Sequence, residues 1–356
     1  MRKLFTLLFV ALSANVLAQP PGYYTSANGL NGQDLRLALR NIIRTHTTLS
    51  YTPGLWNAYY TTDVKPNGKL WDVYSDIPGG TPAYEYTLGT DQCGSAGPTA
   101  EGGCYNREHT WPQSKFASDT PMKNDLFIAY PTDYIVNNRR GDFPYGKVGT
   151  ATQTFTNGSK IGNNTYSGAP SGSCFEPIDS FKGDLARTYF YISTCYRNDS
   201  NLFTSWEMAN QVALTPWAAQ MLLEWHHNDP VSKKEVDRNN AAYVLQANRN
   251  PFIDHPEYAD CIWGTGDCSS LATGSVATTQ GHFTMFPIPA VSNTTIAWRA
   301  NEDAQIVVHD INGRIVLTVN EAGGKLAINV ADWPKGIYMV QLVTATWTGM
   351  QKLVVE

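Results

Sequence analysis

A positive excess is missing from this chain: 26 Lys and Arg stand against 31 Asp and Glu, a net charge of −5. That argues against a protein whose whole surface holds nucleic acid by charge, since such domains are usually basic. A local patch or a bound metal can still place positive charge where a phosphate sits. Charge of either sign is sparse, at 16%, while aromatics reach 12%. A disordered chain is thereby excluded, and a large core is allowed. The six cysteines form no Cys-x-x-Cys pair, so the common zinc-knuckle pattern is absent. Beyond the first 18 residues, no stretch is long and apolar enough to span a membrane.

What is present begins with an export leader. Arg2 and Lys3 precede an apolar run from Leu4 to Leu12, and Val16, Leu17 and Ala18 lead to a cleavage point. The mature chain is expected to begin at Gln19. Its length suits about two domains. An even cysteine count in an exported chain suggests disulfides. Short spacing favours Cys93–Cys104 and Cys261–Cys268, leaving Cys174–Cys195.

Apolar spacing predicts helices over 31–49 and 183–196; 55–60 reads as a further short helix and 231–247 as a charged one. Residues 70–75 read as a strand in which Tyr74 is a packed aromatic. Residues 144–180, rich in Gly, Asn, Ser and Thr, read as a long irregular connection. The central stretch, 104–146, reads as strand, loop, strand, helix. Glu108 and His109 end its first strand, and Leu126 to Tyr130 form an apolar run of strand length. A short helix starts near Thr132 or Asp133, both good caps, and stops at Gly141. Asn137 and Arg140, three apart, share a face of that helix. A carboxylate, an imidazole, an amide and a guanidinium can thus converge.

The set suits cleavage of a phosphodiester. A neutral imidazole takes a proton from water near neutral pH. Oxygen ligands such as Glu108 and Asn137 suit a hard divalent cation. Arg140 can grip a phosphate with its planar fork.

Arg107-Glu108-His109 with Trp111-Pro112 and Ser114, then Asp125-Leu126, Pro131-Thr132-Asp133, Val136-Asn137 and Arg140-Gly141, resemble the extracellular endonuclease I family of ββα-metal (His-Me finger) nucleases. The likeness continues in 183–191 and 248–256 and covers roughly residues 25–265. Phe127 stands where many relatives carry histidine. The resemblance implies His109 as general base, with Glu108 and Asn137 holding the metal; Arg140 is added as a catalytic residue. It implies an α+β fold, with a ββα-metal core embedded in a mainly helical domain over 19–268. The metal expected is Mg2+, with Ca2+ or Mn2+ as alternatives. DNA is the expected substrate and RNA a second one, cut without sequence preference to leave 5′-phosphate ends.

Residues 269–281 have the composition of a linker. From 282 onward short strands recur. The runs Ile306–His309 and Ile315–Leu317 flank Asn312-Gly313, a hairpin signal, and predict a small β-sandwich to residue 356. Pro287-Ile288-Pro289, residues 310–314 and residues 335–338 resemble the C-terminal sorting domain of type IX secretion, which implies that machinery as a partner and a secreted or cell-surface location.

Other residues invite chemistry and carry less of it. His226 and His227 are adjacent on a helix and face different directions, so a shared metal is disfavoured. His255 reads as a hydrogen-bonding anchor, whereas Arg187 can either reach phosphate or form an ion pair that supports the site. A surface adhesin or carbohydrate-binding protein also fits the aromatics, disulfides and terminal sandwich. A metalloprotease lacks the second histidine of His-Glu-x-x-His.

Overall fold

The computed structural model describes residues 19–94, 97–264, 283–298, 303–310, 314–344 and 348–356. The leader, the linker at 269–281, Cys268 and the Asn312-Gly313 turn lie outside the described residues. The architecture is α+β, and the chain divides into two compact units, one to residue 268 and one from 269.

In the first unit, α1 (Gly32–Ile43) and α2 (Gly54–Thr62) come before the first strands. Leu35, Leu39 and Ile43 recur at helical spacing on α1 and are fully buried. The helix expected to reach Leu49 ends at Ile43 instead. Thr45, Thr47 and Thr48 follow, and β-branched threonines are poor helix formers. The segment is held elsewhere, with the Thr47 amide donating to the Gln246 carbonyl at 2.8 Å.

Strand β1 (Tyr105–His109) pairs antiparallel with β2 (Ala129–Asp133), with Glu108 opposite Tyr130 and His109 opposite Ala129. Helix α3 (Tyr134–Arg140) follows at once. Leu126 to Ile128, expected as strand, form a buried turn instead. The Asp125 carboxylate caps it, accepting from the Phe127 amide at 2.9 Å. Residues 70–75 also depart from expectation: they make isolated bridges and turns, not a strand.

The connection over 144–180 is not irregular. It carries a three-stranded antiparallel sheet of β3 (Val148–Thr154), β4 (Lys160–Asn164) and β5 (Ser173–Glu176), in that order. Most of β3 is exposed, so polar residues dilute the alternation that would announce a strand. Then come α4 (Lys182–Cys195), a small pair β6 (Ala209–Asn210) and β7 (Ala213–Leu214), and α5 (Pro216–Asn228). They are followed by α6 (Lys233–Gln246), α7 (Pro251–Asp254) and α8 (Tyr258–Trp263). Nearly all of α4 is buried, which makes it the central post of the unit. A capping box formed by Ser232 and Glu235 starts α6.

Cys93 and Cys104 form a disulfide just before β1. Cys261 is disulfide-bonded, but Cys268, its expected partner, lies outside the described residues. Cys174 and Cys195 are both free and buried, so the expected bridge between them is not formed. Pairing by elimination failed because it assumed that every cysteine is bridged.

The second unit is a sandwich of two antiparallel sheets. One has the order β11 (Ile315–Glu321), β10 (Ala304–Asp310), β13 (Gly336–Thr344), β14 (Thr348–Val355). The other runs β12 (Lys325–Asn329), β9 (Asn293–Trp298), β8 (Phe283–Phe286). Ile296, Ile306, Val308, Val340, Leu342 and Leu353 fill the space between them.

Candidate active site

The β1–β2 hairpin and α3 set the geometry. The Asp133 carboxylate accepts from the Val136 amide at 2.9 Å and caps the start of α3. Gly141 ends the helix at φ 51°, a conformation that favours glycine. Neighbouring residues on a strand face opposite sides. Glu108 therefore turns toward α3 and Tyr74, while His109 turns toward the rings of Tyr51 and Phe116. At the strand end both line one cleft, together with Asn137, Gln113, Arg107 and Asp142.

Glu108 is 3% exposed. Its Oε1 accepts from Arg140 Nη1 at 2.9 Å and from the Tyr74 hydroxyl at 2.7 Å. Tyr145 lies 2.6 Å behind Tyr74 and, with Tyr74 donating forward, must donate to it. No protein donor among the described residues meets Oε2. Burial pushes the carboxyl up to about 7, against the pull of Arg140 and Tyr74.

His109 is held from both ring nitrogens. A carbonyl can only accept, so Nε2 carries the hydrogen and donates to the Lys123 carbonyl at 2.9 Å. The neutral ring then has its lone pair on Nδ1, which accepts from the Gln113 side-chain amide at 2.9 Å. Burial pushes the imidazole down to about 4, with Arg107 and Lys123 adding to the effect. The ring is a neutral base at neutral pH, and its basic atom is Nδ1.

Asn137 spends its amide nitrogen on Asn106 Oδ1 at 2.7 Å and the Arg107 carbonyl at 3.2 Å. Its Oδ1 meets no protein donor among the described residues. Glu108 Oε2 and Asn137 Oδ1 are thus spare oxygen ligands on residues lining one cleft, the donor type that a hard divalent cation takes.

Arg140 corrects an expectation. Its side chain is fully buried behind Glu108 and cannot fork onto a phosphate in the cleft. The guanidinium donates to Glu108, to the His109 carbonyl at 3.2 Å and to the Thr110 carbonyl at 2.7 Å. The helical spacing to Asn137 was right, but burial turned the charge inward. Exposed Arg139 and half-buried Lys115 line a neighbouring cavity that shares Asn138, Gly141 and Asp142 with the cleft.

Tyr74 and Gln113 were missed in the sequence. Tyr74 sits 34 positions from Glu108, and no local spacing relates them. Gln113 follows His109 by four residues, a loop contact without a pattern of its own. His226 and His227 make structural contacts. His226 lies 3.2 Å from Arg187 and 3.0 Å from the Pro256 carbonyl, and His227 pairs with Asp260. Arg187 is buried against Glu235.

Residues 31–257 match the family described as Endonuclease I. Residues 284–356 match the Secretion system C-terminal sorting domain. An extracellular ribonuclease of Bacillus subtilis (strain 168) is 34% identical over 265 residues, covering 72% of this chain and 84% of that protein. An extracellular ribonuclease of Bacillus amyloliquefaciens is 34% identical over 270 residues, with the same two coverages. Among solved structures, PorZ, a surface component of the type-IX secretion system of Porphyromonas gingivalis, is similar at 16% identity and a TM-score of 0.20, over 23% of this chain and 12% of that one. No helix among the described residues is long and apolar enough to cross a membrane. The chain belongs to the endonuclease I family: it is a phosphodiester-cleaving nuclease, exported from the cell with a type IX sorting domain at its C-terminus.

Proposed function

We propose that this nuclease cleaves DNA and RNA without sequence preference, using water activated by His109 and a divalent cation held by Glu108 and Asn137. The observation that carries this reading is a pair of spare oxygens and a basic nitrogen on residues that line one cleft. Glu108 Oε2 and Asn137 Oδ1 meet no protein donor among the described residues, and His109 Nδ1, the basic atom of its ring, is held only by the Gln113 amide.

In this mechanism His109 Nδ1 takes the proton of the attacking water, while the Lys123 carbonyl fixes the ring through Nε2. Gln113 holds Nδ1 until the water replaces it. Glu108 and Asn137 would hold the cation, Mg2+ by ligand type, which when bound would supply Lewis-acid stabilisation of the developing charge. In this reading the P–O3′ bond breaks and the 3′-oxygen leaves, so the phosphate stays on the 5′ side. Arg140 and Tyr74 are positioning residues that orient Glu108 and leave one oxygen facing the cleft.

Two arguments support this substrate class. Both curated relatives are named ribonucleases, and a water nucleophile makes no use of a 2′-hydroxyl, so DNA should serve as well. Arg107 and Lys123, with Lys115 and Arg139 nearby, give positive charge at a cleft of an otherwise acidic chain. In the same reading, residues 1–18 are the leader, 19–268 the nuclease domain, 269–281 the linker and 282–356 the sorting sandwich. The test incubates the purified chain with duplex DNA and with single-stranded RNA, with magnesium and with a chelator. Cleavage of both, abolished by chelator, is expected. Cleavage of RNA alone, or activity in chelator, contradicts the proposal.

A further inference from the structure

A second cluster lies away from the cleft, in the core of the nuclease unit. His46, Asp125 and Cys195 come from three places in the chain: the segment after α1, the turn before β2, and the last residue of α4. One ligand atom from each lies within 4.8 Å of the other two. His46 Nε2 and Asp125 Oδ2 are 3.8 Å apart, longer than a hydrogen bond.

The imidazole is what calls for an explanation. The side chain of His46 is only 1% exposed, and neither ring nitrogen has a hydrogen-bond partner. Buried polar groups are nearly always satisfied, and an orphan of this kind points to an absent water or ion. Asp125 is already oriented as an outer shell would orient a ligand. Its Oδ2 accepts from Tyr191 at 2.8 Å and Tyr196 at 2.7 Å, and its Oδ1 from Gln246 at 3.0 Å. The third observation is chemical. Cys195 is a free thiol in an exported protein, where thiols usually end in disulfides.

We infer that His46, Asp125 and Cys195 form a second cation site, selective for zinc-class transition metals and distinct from the magnesium-type cleft. Nitrogen, oxygen and thiolate donors suit Zn2+, and a thiolate is a poor ligand for Mg2+ or Ca2+. The fourth position of a tetrahedral site is left for water. Ligand atoms around zinc stand closer than 4.8 Å, so binding draws the three side chains together. The cation displaces the thiol proton, which leaves to solvent, and the thiolate sulfur becomes the ligand. A surface cleft lined by His46, Arg40, Thr45 and Pro121 gives a way in, with Arg44 beside it neutralised by Asp199.

The site bears on the cleft through a short span of chain. Lys123, whose carbonyl fixes the His109 ring, is two residues before Asp125. Asn124 between them donates to the Leu49 carbonyl at 2.8 Å, three residues after His46. A cation joining His46 to Asp125 would clamp both sides of that loop.

Cobalt(II) separates this site from the cleft, because only this one offers sulfur. The full chain, stripped with chelator, is titrated with Co2+ while the near-ultraviolet thiolate-to-cobalt charge-transfer band is recorded. A band saturating at one equivalent, lost in both Cys195→Ser and His46→Gln and retained in Cys174→Ser, is expected. Zinc should abolish the band, whereas a large excess of magnesium should leave it. Absence of the band in the wild-type chain overturns the proposal, and so does its persistence in either variant. If one variant fails to fold, the other decides. Neither result depends on cleavage, so failure here leaves the proposed nuclease mechanism standing.

Discussion

Glu108 and Asp125 are two buried carboxylates in one domain, and they are satisfied in different ways. Asp125 takes neutral donors on both oxygens: two tyrosine hydroxyls, a glutamine amide and the Phe127 backbone. Glu108 takes an arginine and a tyrosine on Oε1 alone, with Oε2 turned to a cleft. Asp125 is thus oriented by protein donors on both of its oxygens, whereas Glu108 keeps one oxygen free of them among the described residues. The difference also explains why Arg140 lies inside. Without a charge beside it, half-satisfied Glu108 would be protonated rather than ready for a cation.

Breaking the Glu108 arrangement should have the largest effect. Arg140→Ala leaves a buried carboxylate without its charged partner, so the folded state should lose about 3–5 kcal/mol, read by urea unfolding at neutral pH. Tyr196→Phe, on the Asp125 side, should lose only about 1 kcal/mol because other neutral donors remain. Equal losses would erase the distinction.

The pH response of Glu108 sharpens it. Its folded value, about 7, lies above the ordinary 4.5. Between these values the folded chain keeps a proton that the unfolded chain releases, so stability falls as pH rises. Without metal, wild type should therefore lose up to about 3 kcal/mol relative to Glu108→Gln as pH rises from about 4.5 through 7. Magnesium should restore wild type alone. A difference that does not change with pH would contradict the burial account.

A smaller effect concerns Tyr74. Tyr74→Phe removes one donor to Oε1 and should cost about 1–2 kcal/mol. Tyr196→Phe should cost a similar amount or less, yet only Tyr74→Phe should weaken magnesium binding by calorimetry. Unchanged affinity in Tyr74→Phe would remove its positioning role.

These contrasts also show how far local pattern reaches. The strand end that carries Glu108 and His109 and the capped helix that carries Asn137 were legible because their signals are local, as were the helix start at Asp133 and its stop at Gly141. Arg140 was placed on the right face, but whether that face meets solvent depends on Tyr145 and Tyr189, which arrive from later in the chain. Tyr74 failed for the same reason. The sheet over 148–176 was hidden by its exposed polar face. His46 drew no notice, since nothing in its threonine-rich neighbourhood hints at a partner in Cys195, far along the chain.

The central claim rests on the basic nitrogen of His109. Steady-state cleavage of duplex DNA by wild type and His109→Ala, with saturating magnesium and calorimetric metal binding on the same samples, addresses it directly. Turnover should fall by roughly two to four orders of magnitude while magnesium affinity and folding hold. A folded, metal-binding His109→Ala protein that turns over near the wild-type rate would contradict the account.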